Sequence, residues 1–508
     1  MTNLKCLHAA SEVAGFAKTG GLADVVGSLP LALQSRGIEC AVVMPLYRAC
    51  RAAKITPTEH RFRVPIGGRL VEGRLWRGKL PGSEVPVYLI EQADYFERDD
   101  DATDRGIYQF TDAKGQKADY ADNCARFGFF SRGILEVMRL VNYWPDVLHL
   151  HDWQTALAGA YLREIYQHYA KPDLRGNYGR IRTFFTIHNL AYQGIFWHLD
   201  LPMLGFPWRL FTLDKLEFYG KLNCMKAGLV YADRLTTVSP TYAREIQTTL
   251  LGCGLHGVLM QRAERLHGIV NGIDEHVWNP AVDLLIEAKF DATTLDKGKS
   301  LCKAALQRAF KLAQNPRTPL LGMVSRLAVQ KGLDLIEKVV PDALRQGAQF
   351  VVLGDGDKVH RDMLLKLQKD FPSQVGLSLG QSEAISHQIE AGADIFLMPS
   401  RYEPCGLNQL YSLKYGTIPV VHATGGLADT VVDATPQNVA MKRATGFAFM
   451  PFTPTAFADA LNRCLTMFRD EPARWRQLQQ TGMLQDYSWQ RSAAEYERLY
   501  RLALNEFV

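Results

Sequence analysis

Long apolar runs are missing from this sequence. A transmembrane helix needs about 18–20 consecutive apolar residues, and no stretch of the 508-residue chain reaches that length. The opening residues MTNLKCLHAASEV also lack the apolar core of a secretory signal peptide. We therefore expect a cytoplasmic protein with no membrane partner.

Paired cysteines are missing as well. The chain contains nine cysteines, an odd number, and no CxxC motif. Disulfide frameworks and zinc ribbons both depend on paired cysteines, so neither is expected, and a reducing compartment fits this usage.

A charge excess of one sign is the third absence. The 58 Lys and Arg residues nearly balance the 53 Asp and Glu residues, which leaves a net charge of +5. Nucleic-acid-binding proteins usually concentrate basic residues on one face or domain, so no nucleic-acid partner is expected. The length exceeds what a single hydrophobic core usually supports, which predicts two domains.

Short apolar segments recur along the chain, each followed by Gly, Ser, Asn or Pro and then by a helical pattern. Strands that alternate with helices predict βαβ units and parallel sheets. The predicted strand segments are 5–9, 40–45, 147–152, 183–189, 234–240 and 268–272, then 319–326, 349–356, 394–401 and 417–423.

Three helices are predicted in detail. Apolar residues spaced three or four apart predict one helix from Leu22 to Leu33, with Gly37 as its stop. A second helix is predicted to open at Pro404 and end at Gly416, because proline suits the first helical turn. A third covers 488–500. The charged segment 97–120 is predicted to be a solvated, mobile loop.

The hexapeptide TGGLAD occurs twice, at Thr19–Asp24 and Thr424–Asp429, each time between a predicted strand and a predicted helix. Two glycines ease a tight turn, which explains either copy alone. A glycine-rich loop before a helix also brings backbone N–H groups close to an anion. Two copies, one in each predicted domain, favour two ligand-binding loops.

Polar residues cluster where the predicted strands end. In open α/β sheets, ligands bind beyond the carboxyl ends of the strands. The residues at these positions are Glu12, Lys18, His151, Asp152, His188, Asn189, Asn271, Ser325, Arg326, Gly354, Asp355, Gly356, Arg401, Tyr402 and Glu403.

Each candidate also has a structural interpretation. Arg326 and Lys331 suit a departing diphosphate, or they are two solvated cations. Glu403 is a carboxylate favourably placed near a helix start, a ligand for sugar hydroxyls, or an acid, base or nucleophile. His188 is a buried histidine or a hydrogen-bond donor in a crevice. Lys18 is a phosphate ligand or an exposed lysine.

Metal and dinucleotide sites are disfavoured by the pattern. Asp152 is an acid, an orienting group or a metal ligand together with His149 and His151. We expect these two histidines to point to opposite faces of a strand, which argues against a metal. GDGDKV (354–359) lacks the third glycine and the downstream acid of a dinucleotide fingerprint.

Taken together, the motifs resemble those of bacterial glycogen synthases and plant starch synthases. The matching segments are KTGGLADV (18–25), HLHDWQ (149–154), TIHNLAYQG (186–194), VSPTYAREI (238–246), VNGID (270–274), VSRLAVQKGLDL (324–335), PSRYEPCGLNQLYSLKYGTIPVV (399–421) and TGGLADTV (424–431). They span nearly the whole chain in the family's order.

The resemblance implies a GT-B fold, in which two Rossmann-like domains, 1–270 and 271–485, face a cleft and a C-terminal helix, 486–508, returns to the first domain. It implies a retaining glucosyltransferase that moves glucose from ADP-glucose to an α-1,4-glucan. No metal or other cofactor is expected.

The resemblance also implies residue roles. His188, Arg326, Lys331 and Glu403 are the expected catalytic group. His188 lies by the transferred glucose, Arg326 and Lys331 hold the diphosphate, and Glu403 binds glucose hydroxyls. The expected substrate-binding residues are Lys18, Gly20, Gly21, Asp24, Asp152, Asn189, Asn271, Gly354, Cys405, Gly406, Thr424, Gly425 and Gly426.

One position departs from the family, because Gln381 stands where an aromatic residue is common. Weaker stacking on the base would follow, and UDP-glucose therefore stays an alternative donor. The competing hypotheses are an α/β dehydrogenase, which the incomplete fingerprint disfavours, and a non-catalytic glucan-binding relative, which the intact candidate residues disfavour. Glycogen phosphorylase shares the fold class, but no segment resembles its cofactor lysine region.

Overall fold

The computed structural model describes residues 4–98, 106–111 and 117–506. The chain forms two compact units. Unit 1 contains the residues up to Val238, Ala243–Ile269 and the residues from Trp489 onward. Unit 2 contains Ser239–Tyr242 and Val270–Ser488. The short segment Ser239–Tyr242 was not foreseen as part of unit 2.

Unit 1 is an α/β unit. Its strands are β1 (Lys5–Ala9), β2 (Glu39–Pro45), β3 (Thr56–Ile66), β4 (Arg69–Lys79), β5 (Pro86–Glu91), β6 (Gln109–Thr111), β7 (Lys117–Asp119), β8 (Val147–His151), β9 (Arg182–Ile187), β10 (Ile195–Trp197), β11 (Glu217–Phe218), β12 (Lys221–Asn223), β13 (Arg234–Thr237) and β14 (Leu266–Gly268). Its helices before unit 2 are α1 (Gly21–Ser35), α2 (Ala93–Phe96), α3 (Asn123–Leu140), α4 (Trp153–Tyr161), α5 (Gln167–Tyr169), α6 (Pro172–Arg180), α7 (Asp200–Met203), α8 (Cys224–Tyr231), α9 (Pro240–Glu245, which begins in unit 2) and α10 (His256–Gln261).

The main sheet of unit 1 has nine strands in the order β14-β13-β9-β8-β1-β2-β5-β4-β3. The strands from β14 to β5 run parallel, and β4 and β3 add an antiparallel edge. The chain moves outward from β1 to β2 on one side and from β8 to β9 on the other. The crevice beside the carboxyl ends of β1 and β8 is therefore the switch point, where ligands bind in such sheets.

Unit 2 repeats this design. Its strands are β15 (Leu320–Val324), β16 (Gln349–Gly354), β17 (Val375–Leu379), β18 (Ile395–Met398), β19 (Ile418–His422) and β20 (Phe447–Phe449). Its helices are α11 (Leu295–Ala309), α12 (Leu333–Arg345), α13 (Lys358–Asp370), α14 (Glu383–Gly392), α15 (Asn408–Lys414), α16 (Gly425–Thr430), α17 (Pro436–Ala440), α18 (Pro454–Asp470) and α19 (Pro472–Met483).

The sheet of unit 2 is parallel throughout, in the order β17-β16-β15-β18-β19-β20. Its switch point lies between β15 and β18. Both faces of the sheet are covered by helices, so strands such as β16 and β19 are buried along their whole length. Continuous burial explains why the predicted strands read as apolar runs without alternation.

Two predicted elements were placed wrongly. The helix predicted from Pro404 begins at Asn408, because Gly406 has a φ of +72° and interrupts the right-handed path. The strand predicted at 268–272 overlaps β14 only at Gly268. From Val270 the chain belongs to unit 2 and leaves the sheet.

The C-terminal helix α20 (Trp489–Asn505) belongs to unit 1. It buries Trp489, Ala493, Tyr496 and Tyr500, the four residues that the sequence places on one face. Arg36, at the end of α1, forms a 2.7 Å ion pair with Glu497 of this helix.

The segment 97–120 is only partly described. Within it, β6 pairs with β7, Ile107 is buried, and the Arg126 side chain donates to the Ile107 carbonyl at 3.1 Å. The prediction of a solvated loop is therefore wrong for Gly106 and Ile107, which are buried, whereas Lys117 and Asp119 are exposed as predicted. Residues 99–105 and 112–116 lie outside the described residues, and the predicted mobility stays a prediction. In the described chain, no helix has the length and apolarity needed to span a bilayer.

Candidate active site

The first copy of TGGLAD follows β1 and runs into the first turn of α1 in unit 1, and its backbone binds a carboxylate of the chain itself. Glu12 accepts hydrogen bonds from the N–H and the hydroxyl of Thr19, the latter at 2.7 Å, and from the N–H of Gly20 at 3.1 Å. Tyr108 donates its hydroxyl to the same carboxylate at 2.6 Å. Two N–H groups of the loop are therefore engaged by Glu12, and binding of a ligand anion there stays a prediction.

The charged residues of this first loop pair with each other. Lys18 Nζ lies 2.6 Å from Asp24 Oδ1, and the Lys18 side chain is 54% exposed. An exposed lysine held only by a neighbouring carboxylate is free to change partner at little cost. Gly21, the third residue of this copy, opens α1, and Asp24 lies in its first turn.

Asp152 follows β8 in an unusual backbone conformation, with φ +58° and ψ −179°. This region is nearly restricted to glycine, so the position stores strain. Its carboxylate accepts the N–H of His188 at 2.7 Å, and burial raises its pKa to about 7 although the N–H groups of His188 and Asn189 act in the opposite direction. Asp152 therefore joins the ends of β8 and β9, which fits the orienting role among its alternatives.

His188 and His151 are in direct contact, with His188 Nε2 3.0 Å from His151 Nδ1. Burial lowers the pKa of His188 to about 3, so the ring is neutral at neutral pH. A neutral imidazole offers one donor and one acceptor. His188 can therefore hold a sugar hydroxyl, but it is not an imidazolium.

The expectation that His149 and His151 point to opposite faces of their strand is wrong. Side chains alternate with a period of two, so residues i and i+2 share a face, and the two rings stack with centroids 4.2 Å apart. With His8 they form a buried group whose potential metal-ligating atoms lie within 4.8 Å of one another.

All six ring nitrogens of this group have partners within the protein. His8 contacts Cys6 and His151, His151 contacts His188, and His149 contacts the hydroxyls of Tyr500 at 2.7 Å and Thr186 at 2.6 Å. The group is thus satisfied by hydrogen bonds alone.

In unit 2, the ends of β15 and β18 bring Lys331 and Glu403 together. Lys331 Nζ lies 2.6 Å from Glu403 Oε2, and the Ser400 hydroxyl donates to the same oxygen at 3.0 Å. Gly332 makes this approach feasible, because a Cβ at that position would lie 1.8 Å from the Pro399 carbonyl oxygen. Arg326 is exposed just beyond β15.

The second copy of TGGLAD packs against the Glu403 segment. Gly425 has a φ of +46°, and a Cβ there would lie 2.0 Å from the Glu403 carbonyl oxygen. A Cβ on Gly426 would lie equally close to the Cys405 carbonyl oxygen. The Gly426 N–H donates to the carbonyls of Glu403 and Pro404, both at 3.1 Å. These glycines permit close backbone packing around Glu403, and Thr424 is the buried residue that precedes them.

Other predicted residues of unit 2 surround the same strand ends. A Cβ on Gly354 would lie 2.1 Å from the Ser325 carbonyl oxygen, so this glycine lets β15 and β16 end side by side. Cys405 is buried, and burial raises the pKa of its thiol to about 12. Asn271 Oδ1 and Ser325 Oγ are buried without a hydrogen-bond partner among the described residues. Buried polar atoms left in this state usually serve a ligand or water.

Sequence reasoning gave no role to several of these residues. Glu12 and Ser325 were recognised only as strand-end residues, and Ser400 was not singled out. Tyr108 lies in the segment predicted to be mobile, so no pattern indicated its contact with Glu12. Gln381 is exposed, between Gly380 and α14.

Comparisons with known proteins cover both units. Residues 5–261 match the family model described as starch synthase catalytic domain, and residues 307–479 match glycosyl transferases group 1. The chain is 45% identical over 504 residues to glycogen synthase of Syntrophotalea carbinolica, covering 99% of both chains. It is 47% identical over 500 residues to glycogen synthase of Anaeromyxobacter dehalogenans, covering 98% of this chain and 99% of the relative.

A solved structure, the catalytic domain of starch synthase IV from Arabidopsis thaliana bound to ADP and acarbose, is similar over 99% of this chain and 100% of that one. Its TM-score is 0.88 at 32% identity. The prediction of a GT-B fold with two Rossmann-like domains is confirmed.

Proposed function

The chain belongs to the family of glycogen and starch synthases and is a glycosyltransferase, and from this premise we propose that it transfers glucose from ADP-glucose to the non-reducing end of an α-1,4-glucan with retention of configuration. The similarity to relatives named glycogen synthase supports the reaction. The ADP in the starch synthase structure supports the adenine nucleotide for this chain.

The observation that carries the proposal is the Lys331–Glu403 pair at the switch point of unit 2. Lys331 and Arg326 both follow β15, whose carboxyl end lies at the edge of the sheet where nucleotides bind in such folds. The unpartnered Ser325 Oγ and Asn271 Oδ1 add hydrogen-bonding capacity for a polar ligand.

The chemistry follows from the leaving group. When the bond between C1 of glucose and the diphosphate breaks, negative charge grows on the departing phosphate oxygen. Arg326 and Lys331 stabilise this charge more strongly in the transition state than in the ground state, which accelerates the reaction. Two fixed cations supply the charge stabilisation, so we propose that no metal is required.

Glu403 acts in this scheme as a ligand for glucose hydroxyls. Its Oε2 is occupied by Lys331 and Ser400, so its charge is largely neutralised and it is a poor nucleophile. Retention then arises because the departing phosphate oxygen takes the proton of the acceptor hydroxyl on the same face of the sugar. Cys405 and Gly406, with Thr424, Gly425 and Gly426, shape the backbone around the donor.

We also propose substrate-binding roles for residues of unit 1. His188 is neutral and offers one donor to the transferred glucose. Lys18 is exposed and, among the described residues, pairs with Asp24, so it is available to the phosphate or sugar of the nucleotide-sugar once it leaves that partner. We propose that Gly20, Gly21 and Asn189 also bind substrate.

The test is nucleotide release in the presence of EDTA, measured from ADP-glucose and UDP-glucose side by side, with and without glycogen. We expect release that depends on glycogen, is faster from ADP-glucose and persists in EDTA. Release that is faster from UDP-glucose would contradict the base assignment, for which the exposed Gln381 is the residue to exchange. Loss of activity in EDTA would contradict the metal-free mechanism.

A further inference from the structure

A line of hydrogen-bonded side chains runs through the interior of unit 1 and ends at His188. Cys6 Sγ lies 3.4 Å from His8 Nε2, His8 Nδ1 lies 3.3 Å from His151 Nε2, and His151 Nδ1 lies 3.0 Å from His188 Nε2. We call these four residues the histidine ladder. They belong to β1, β8 and the end of β9, at the switch point of the sheet.

Every ring of the ladder is neutral at neutral pH. Burial lowers the pKa of His8 and of His188 to about 3. Burial, reinforced by repulsion from its histidine neighbours, holds the pKa of His151 well below its usual range. A neutral imidazole carries one proton, so its two nitrogens act as one donor and one acceptor. In a row of such rings, the direction of the first hydrogen bond sets the tautomer of every ring that follows.

Cys6 sets the direction at the closed end. Burial holds the pKa of its thiol well above the usual range, so the thiol keeps its proton and can donate it. Tyr500 also reaches Cys6, but the imidazole nitrogen of His8 is a stronger acceptor than a phenol oxygen. Tyr500 in turn has His149 Nδ1 at 2.7 Å as an acceptor. The thiol therefore donates its hydrogen bond to His8 Nε2 while the proton stays on sulfur.

The remaining protons follow. His8 donates from Nδ1 to His151 Nε2, and His151 donates from Nδ1 to His188 Nε2. His188 then accepts at Nε2 and carries its own proton on Nδ1.

We propose that Cys6, His8 and His151 are positioning residues that hold the proton of His188 on Nδ1, so that this ring presents a hydrogen-bond donor to the transferred sugar. The role given to the Nδ1 proton rests on the proposed function, whereas the tautomer itself does not. Cys6, His8 and His151 are fully buried, which suits this task because buried hydrogen bonds are expensive to break.

The test begins with the wild-type protein labelled with ¹⁵N in its histidines. Protonated and unprotonated ring nitrogens resonate in separate regions, and loss of signals in a His188→Gln variant identifies His188 among the 13 histidines. We expect Nδ1 protonated and Nε2 bare. Protonation of His188 at Nε2, or a mixture of tautomers, would overturn the proposal. This reading needs no substrate, so it stands even if the donor or the reaction has been assigned wrongly.

Variants of His8 then test the consequence. His8→Leu removes the donor to His151, and we expect mixed His188 tautomers and a kcat lower by roughly tenfold, the worth of one hydrogen bond, with a smaller change in KM. His8→Asn places an amide N–H near the position of Nδ1 and should restore the tautomer and most of kcat. If His8→Leu does not fold, the same comparison is made at Cys6, where Cys6→Ala removes the donor and Cys6→Ser keeps it.

The matched control is Thr186→Val, which removes a buried hydrogen bond to His149 outside the ladder. It should lower the melting temperature while leaving the His188 tautomer and kcat unchanged. Equal loss of kcat in Thr186→Val and His8→Leu would show that the ladder has only a structural role. Failure of His8→Asn to restore the His188 tautomer or kcat would show the same. One equivalent of tightly bound zinc in the purified protein, lost in His8→Leu, would show a metal site instead and would also overturn the proposal.

Discussion

The two copies of TGGLAD have the same six residues but make different contacts. In unit 1, the loop donates its N–H groups to the Glu12 side chain, and Asp24 pairs with the exposed Lys18. In unit 2, the loop lies against backbone, with its glycines beside the carbonyls of the Glu403 segment. Asp429 there accepts from the hydroxyls of Ser239 and Thr241, each at 2.6 Å.

The difference shows what each loop is able to change. The Glu12 side chain can rotate away, which frees the N–H groups of Thr19 and Gly20 for an incoming anion. A backbone carbonyl packed against glycine has no such freedom. We infer that the first loop is the adaptable one and that the second is a fixed support for Glu403.

Glycine substitutions should separate the two copies most strongly. Gly426→Ala places a methyl group 2.0 Å from the Cys405 carbonyl oxygen, so we expect the unfolding free energy to fall by at least about 3 kcal/mol. Gly20→Ala meets nothing within 4 Å, and Gly20 has an extended φ of −159°, so its cost should stay below about 1 kcal/mol. Denaturant titration of both variants measures the difference, and equal losses would contradict the contrast between the loops.

The two lysine–carboxylate pairs give a smaller but more specific contrast. Lys331→Ala leaves Glu403 buried without its cation, and we expect a loss of about 3 kcal/mol in unfolding free energy and of about 10²-fold in kcat. Lys18→Ala breaks an exposed pair and should cost less than about 1 kcal/mol, decreasing further in high salt.

Lys358→Ala, which breaks an exposed pair with Asp362 on α13, is the control for loss of a lysine in unit 2. It should retain wild-type kcat. Near wild-type turnover in Lys331→Ala would contradict the phosphate-binding role proposed for this lysine.

The parallel core was predictable because its signal is local. Strands β1, β8 and β16 are almost wholly buried, and β1 has the same bounds as the predicted segment 5–9. The antiparallel edge of β3 and β4 was not predicted. Its strands alternate between buried and exposed residues and carry many charges, so no apolar run marks them.

The positions of the candidate residues at strand ends were more predictable than their contacts, and their roles stay predictions. The strand ends indicated Glu403, Lys331 and His188, since parallel strands bring their carboxyl ends to one edge. The contacts of Glu12 with Tyr108 and of His8 with His151 join residues 96 and 143 positions apart. Pairing at such separation depends on the order of strands in the sheet, which no local pattern contains. The error over His149 and His151 was one of geometry, because the period of a strand puts them on one face.

The anomeric configuration of the product tests directly whether glucose is transferred with retention. Proton NMR would follow ADP-glucose labelled with ¹³C at C1 during reaction with a short maltooligosaccharide. We expect the labelled carbon to move into an α-1,4 linkage from the first turnover, in step with release of ADP. A β-linked product, or labelled free glucose as the main product, would contradict it.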